Sequence, residues 1–242
     1  MATRGSWFNQ ILTYFDNATQ ERVLPVAPVV FYDDFLGNGL ATTAWGTRDT
    51  GAATEAVVAD AANGAVGLAL DATNEIQLAG IDWADQRTLV LNQGLVFEAS
   101  FRLSVLPTGS VVAVVGLCGD HNAAVNAVAE SIWFRADGNG IITVENDDTV
   151  HETSQVATGK TLTTADWIIA RIDCSDIADV KFFINGDRVA TGTTFNMSQV
   201  PALALQPVAR IGKEGAATAV GTLQVDYVRA CLLYTSPSPR DS

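Results

Sequence analysis

Two carboxylates two residues apart can do acid–base work when a strand holds them on one face, because strand side chains alternate with a period of two. Retaining cleavage of a glycosidic bond needs such a pair about 5 Å apart, one to protonate the leaving oxygen and one to attack. The nearest candidate is Glu145-Asn146-Asp147-Asp148, in which Glu145 and Asp147 share a face if a strand continues through them. No second glutamate follows at the needed spacing, and the segment runs into a polar turn. The expected reading is a solvated acidic hairpin end.

Other chemistries find less material. His121 and His151 are the only histidines, too few for a His-based metal site. Cys118 ends an apolar run in Leu117-Cys118-Gly119-Asp120-His121 and is expected to pack as a small hydrophobe. Cys118, Cys174 and Cys231 make neither a close metal-binding pair nor a disulfide framework, which fits a reducing cytosol. No glycine-rich phosphate loop precedes a helix.

The elements that would position such residues read as strands. Hydrophobic residues make up 48% of the 242 residues and charged ones only 17%. Alanine, valine, threonine and glycine dominate, a mixture that suits strands and turns. Leu95, Phe97, Ala99, Phe101 and Leu103 alternate along one apolar face. Val111 to Leu117 is apolar throughout and is expected as a central strand. Asp137-Gly138-Asn139-Gly140 and Asn185-Gly186-Asp187 are hairpin turns, because Asn-Gly and Asp-Gly accept positive φ. Short strands at this spacing predict an all-β sandwich or barrel over residues 29–230.

Ahead of it, residues 1–28 form an arm. Trp7, Phe8, Ile11, Leu12 and Phe15 recur at helical spacing, so a short amphipathic helix capped by Ser6 is expected there, with its apolar face on a partner or on its own domain. The net charge of −13 disfavours nucleic acid and membrane surfaces as partners. No apolar stretch reads as a signal peptide or a membrane span.

Three segments resemble concanavalin A-like lectin/glucanase and laminin-G-like jelly-roll domains. Tyr32-Asp33-Asp34-Phe35 followed by Trp45 is similar to the opening of many of them. Asp166-Trp167 through Asp173, then Val180 through Val189, is similar to the laminin-G strand pair. Gln224-Val225-Asp226-Tyr227-Val228-Arg229 resembles the last strand of family-16 glucanases. The resemblance implies an all-β, two-sheet antiparallel jelly-roll sandwich in which the last strand lies beside the first. It implies no cofactor beyond a structural calcium, for which Asp33, Asp34 and Asp226 stand at the matching positions. The family-16 catalytic strand reads Glu-x-Asp-x-x-Glu, and its absence implies a protein that is not an enzyme.

Domains of this type occur in phage structural proteins. With no secretion signal and an aromatic arm, the expectation is a virion component, in the capsid or tail, assembled in the host cytoplasm as a homo-oligomer or on other virion proteins. The alternative is a carbohydrate-binding module, with Trp83 in Gly80-Ile81-Asp82-Trp83-Ala84-Asp85 as the exposed stacking ring for a glycan. A family-16-like glycoside hydrolase comes last. Residues Cys231–Asp241 resemble a translated sequencing adapter from a metagenomic read, so 231–242 is expected as a disordered artefact and the domain is expected to end near Ala230.

Overall fold

The computed structural model describes residues 29–200 and 202–233 in full, and the backbone of three strands before them. Those three are β1 (Arg4–Phe8), β2 (Ile11–Phe15) and β3 (Arg22–Val23), which pair as a small antiparallel sheet. The strands of the sandwich begin with β4 (Val29–Asp33), β5 (Gly46–Thr50), β6 (Thr54–Val57) and β7 (Val66–Leu70). Next come β8 (Glu75–Asp82), β9 (Leu89–Val90), β10 (Leu95–Val105) and β11 (Val111–Cys118). Then follow β12 (Glu130–Asp137), β13 (Ile141–Asp148), β14 (Glu152–Thr161) and β15 (Ile168–Asp173). The last are β16 (Lys181–Ile184), β17 (Asp187–Val189), β18 (Ala204–Ala217) and β19 (Gly221–Leu232).

The strands form two antiparallel sheets. The first runs β17-β16-β15-β10-β19-β7-β6, with β4 sharing one side of β19 with β7. The second runs β14-β13-β12-β11-β18-β8-β5, with β9 on the start of β18. The last strand lies beside the first strand of the sandwich, Val228 opposite Asp33. This is the two-sheet jelly roll expected.

The core lies between the sheets. The alternating residues Leu95, Phe97, Ala99, Phe101 and Leu103 of β10 all point into it. Each fully buried Leu or Phe there contributes about 1.5–3 kcal/mol. β11 explains its unbroken apolar run differently. Val111, Ala113, Val115 and Leu117 enter the main core, while Val114 and Cys118 face outward into a second buried cluster. That outward face is covered by the segment 119–129 at Val114 and Cys118, and Val112 nearer the strand's start is half-buried. The β16–β17 turn has Asn185 at φ 53° and Gly186 at φ 87°, the two positive values its sequence demanded.

Two boundaries differ from expectation. The arm is not helical where its backbone is described: β1 and β2 pair antiparallel, with Trp7 opposite Leu12, Phe8 opposite Ile11 and Arg4 opposite Phe15. Aromatic and β-branched residues favour strands, and a two-turn helix is unstable alone. The side chains of this arm, and the partner contacts expected of them, lie outside the described residues. At the other end, β19 continues past Ala230. Cys231 and Leu232 are buried and pair with Val96 and Leu95, and Leu232 follows Val228 and Ala230 into the core. The expected disorder of 234–242 lies outside the described residues.

Candidate functional site

The outward face of the second sheet carries the densest group of functional side chains. Pairing of β12 with β13 sets Trp133 opposite Glu145 and Ser131 opposite Asp147. Ile142 and Val144 of β13 enter the core, so Thr143, Glu145 and Asp147 face outward. β13 therefore does continue through Asp147, and Glu145 and Asp147 share one face. The acidic hairpin end expected from sequence is instead the floor of a pocket.

Glu145 is buried, and its Oε1 has two donors. It accepts a short hydrogen bond from Trp133 Nε1 and a second from Arg135 Nη1 at 3.1 Å. The Arg135 guanidinium also donates through Nε to Asp137 Oδ1 at 2.8 Å and through Nη1 to Asn126 Oδ1 at 2.6 Å. Asp147 is set differently. Burial pushes its carboxyl above the usual aspartate range, the nearby charges of Glu152 and Asp148 add to this, and the Thr149 N–H opposes it. The two carboxylates thus sit in unlike environments, one beside a cation and one beside other acids.

Two walls rise from this floor. One is β14, where Ser154 and Gln155 together face Glu145 in a bulge between the Val144–Val156 and Asn146–Thr153 pairs. Gln155 holds φ at 47°, a strained value for a side-chain-bearing residue, and bulges of this kind re-aim side chains beside sites. The other wall is the segment 119–129, whose 3-10 turn at Val125–Ala127 presents Val125 and Asn126. The cavity between the walls is about 300 Å³, at the low end of the range for small-ligand sites.

The remaining sequence candidates scatter. Trp83 is half-buried rather than exposed, its ring edge-on to Phe31 at 4.9 Å, because Phe31 and the core supply apolar contacts its polar flanks concealed. Trp45 and Trp133 are buried, and the exposed tryptophan among the described residues is Trp167, 38% accessible under the Arg102 guanidinium. The aspartates Asp33, Asp34 and Asp226 sit near the β4–β19 pair. Asp33 uses both oxygens on the Phe35 N–H and Trp45 Nε1, and burial and then Asp34 raise the Asp226 carboxyl. Among the described residues no three acidic, His or Cys side chains converge on a metal position, so these aspartates do not by themselves make the six-oxygen shell calcium requires. Cys118 ends β11 just before the covering segment and His121 lies within it, and burial raises the Cys118 thiol, which suits packing and not attack. Sequence reasoning missed Arg135 and Asn126, whose pairing depends on a fold contact between β12 and a patternless segment.

No family model matches the chain, and no curated protein is similar to it in sequence. Its fold is shared with solved structures. An endo-1,3-beta-glucanase from Streptomyces sioyaensis aligns at 14% identity over 86% of this chain and 99% of its own, with a TM-score of 0.56. The laminarinase from Rhodothermus marinus aligns at 14% identity over 85% of this chain and 97% of its own, also at 0.56. The Emp47p carbohydrate recognition domain aligns at 11% identity over 84% of this chain and 94% of its own, again at 0.56. The expectation of a protein that is not an enzyme is thereby corrected. Solved β-glucanases have this fold, and although no second glutamate completes the family-16 spacing, β13 runs through Asp148 and carries both Glu145 and Asp147 into one pocket. What the comparisons establish is the fold: a concanavalin A-like glucanase/lectin jelly roll.

Proposed function

We propose that the protein is carbohydrate-active and that the pocket over Glu145 and Asp147 binds a glucan-type saccharide. The observation that carries this is the pocket's chemistry on this fold. A dense set of donors and acceptors at Asn126, Ser131, Arg135 and Glu152 lines the pocket beside the buried Val125 and Val128, matching a ligand with many hydroxyls. The virion role expected from sequence drew on the same fold and gains no separate support.

Binding is tested by titrating the protein with linear β-1,3-gluco-oligosaccharides and following backbone amide shifts. Shifts should concentrate on 125–135 and 145–155. Ser154→Trp, an exposed position on the β14 wall, should fill the pocket and abolish them; shifts that persist unchanged in this variant would place any binding elsewhere.

A second reading, hydrolysis, is favoured by one observation: the two carboxylates have opposed surroundings. Asp147, raised by burial, is suited to hold a proton for the leaving oxygen, and Glu145 lies on the same face of β13 beside the Arg135 guanidinium. Release of reducing ends that vanishes in both Asp147→Asn and Glu145→Gln would establish it; release that survives in both would remove these residues from the chemistry.

A further inference from the structure

We infer that this pocket receives the end of a saccharide chain and not its interior. The inference rests on the saccharide reading above and specifies the ligand class. Its basis is that the face of the second sheet, open in principle from β5 to β14, is crossed by a dry wall.

Beneath the segment 119–129, the outward side chains Val114, Cys118, Trp133 and Val208 pack with Val125 and Val128 in a closed apolar cluster. The segment is fastened on its far side as well. Buried Arg210 donates to the carbonyls of Asn122 and Ala123, each at 2.6 Å, and Glu214 accepts the Val125 N–H at 2.6 Å. Beyond it lies a separate hollow of about 60 Å³ that shares only Val125 as lining with the pocket. A chain running across the sheet would have to lift this wall, exposing the cluster and stripping a buried guanidinium of its acceptors. Each lost charge-assisted bond of that kind is costly.

One end of the pocket is barred too. Asn126 on one wall accepts from Arg135, Arg135 donates to Asp137, and Asp137 accepts from Gln155 Nε2 at 3.0 Å on the other wall. This chain of hydrogen bonds ties the walls together across the floor. From this bar the pocket's lining continues to Ser131, Asp147 and Glu152. A blind pocket of this shape admits a terminal unit and excludes a strand threaded through.

The test uses the full chain and two probes: a short linear β-1,3-gluco-oligosaccharide, and a cyclic β-glucan, which has no ends. Calorimetric titration should show the linear probe binding at least about tenfold more tightly, a difference worth about 1.4 kcal/mol. Asn126→Gly combined with Gln155→Gly removes the bar, and the cyclic probe should then gain affinity; because the wild-type comparison stands without it, misfolding of this variant would not decide the matter. Equal binding of both probes by the wild type, lost in Ser154→Trp, would overturn the end-on inference and leave the saccharide reading intact. Binding of neither probe would overturn both.

Discussion

Arg135 shows how one side chain can carry both stability and site geometry. It is buried, its charge is matched by Glu145 and Asp137, and it anchors Asn126 of the covering segment. Removing one partner of a buried pair leaves the other charge stranded, so Arg135→Met should lower unfolding free energy by about 3–5 kcal/mol. Adding Glu145→Gln removes the stranded charge and should recover part of that loss. Denaturant unfolding of the single and double variants measures this; a double variant no more stable than the single one would show that Glu145 is not the group Arg135 compensates. The sequence offered Glu145 and Asp147 by their spacing alone, since alternation is a local property. It concealed that they line a pocket, because polar residues at a strand end look the same whether solvent or a distant segment covers them. Trp83 was misjudged for the mirror reason: its polar neighbours suggested exposure, while its contact with Phe31 comes from across the fold.

At the scale of elements, two glycines do different work. A Cβ on Gly116 would meet the Ile132 carbonyl and lie 2.6 Å from Trp133 Cα, so β11 and β12 pack backbone against backbone where Trp133 forms the pocket floor. Gly116→Ala must push the strands apart, at a cost of about 1–3 kcal/mol or more, and should weaken saccharide binding with it. A Cβ on Gly186 meets nothing within 4 Å, and the strain there is all in its φ of 87°. Gly186→Ala should cost about 1–2 kcal/mol and leave binding untouched. Thermal unfolding and titration of both variants check the contrast; binding lost equally in both would mean that general destabilisation, not Trp133, governs the site. The Asn185-Gly186 hairpin was legible because its turn chemistry is local. The arm misled because its apolar spacing satisfies a helix, while its Trp, Phe, Ile and Tyr content satisfies the strands that its backbone adopts.

Among the described residues, an acidic chain keeps three of its cations, Arg135, Arg210 and Lys213, buried. Its formal charge is −13, yet Arg210 and Lys213 are buried against backbone carbonyls, Lys213 Nζ donating to those of Asp71, Thr73, Ala217 and Ala219. Arg135 and Arg48 are likewise turned inward onto carboxylates. The sequence disclosed the total charge and the strand alternation, but the order of strands within each sheet, and hence where cations end up, depends on pairings between distant segments such as β4 with β19. This arrangement leaves acidic surface groups with few neighbours of opposite sign. Their mutual repulsion opposes the compact state and is screened once the Debye length falls to about 10 Å near 0.1 M salt. Raising ionic strength from low values to that level should therefore stabilise the fold, and each 1 kcal/mol gained should raise Tm by about 2–4 °C for a chain of this size. A Tm that falls with added salt would mean that attractive surface ion pairs, such as Arg87 with Asp120, outweigh the repulsion. Binding of a neutral glucan involves no net charge transfer, so its affinity should stay flat over the same salt range while Tm rises, and that divergence separates the global electrostatics of the chain from the local hydrogen bonds of the pocket.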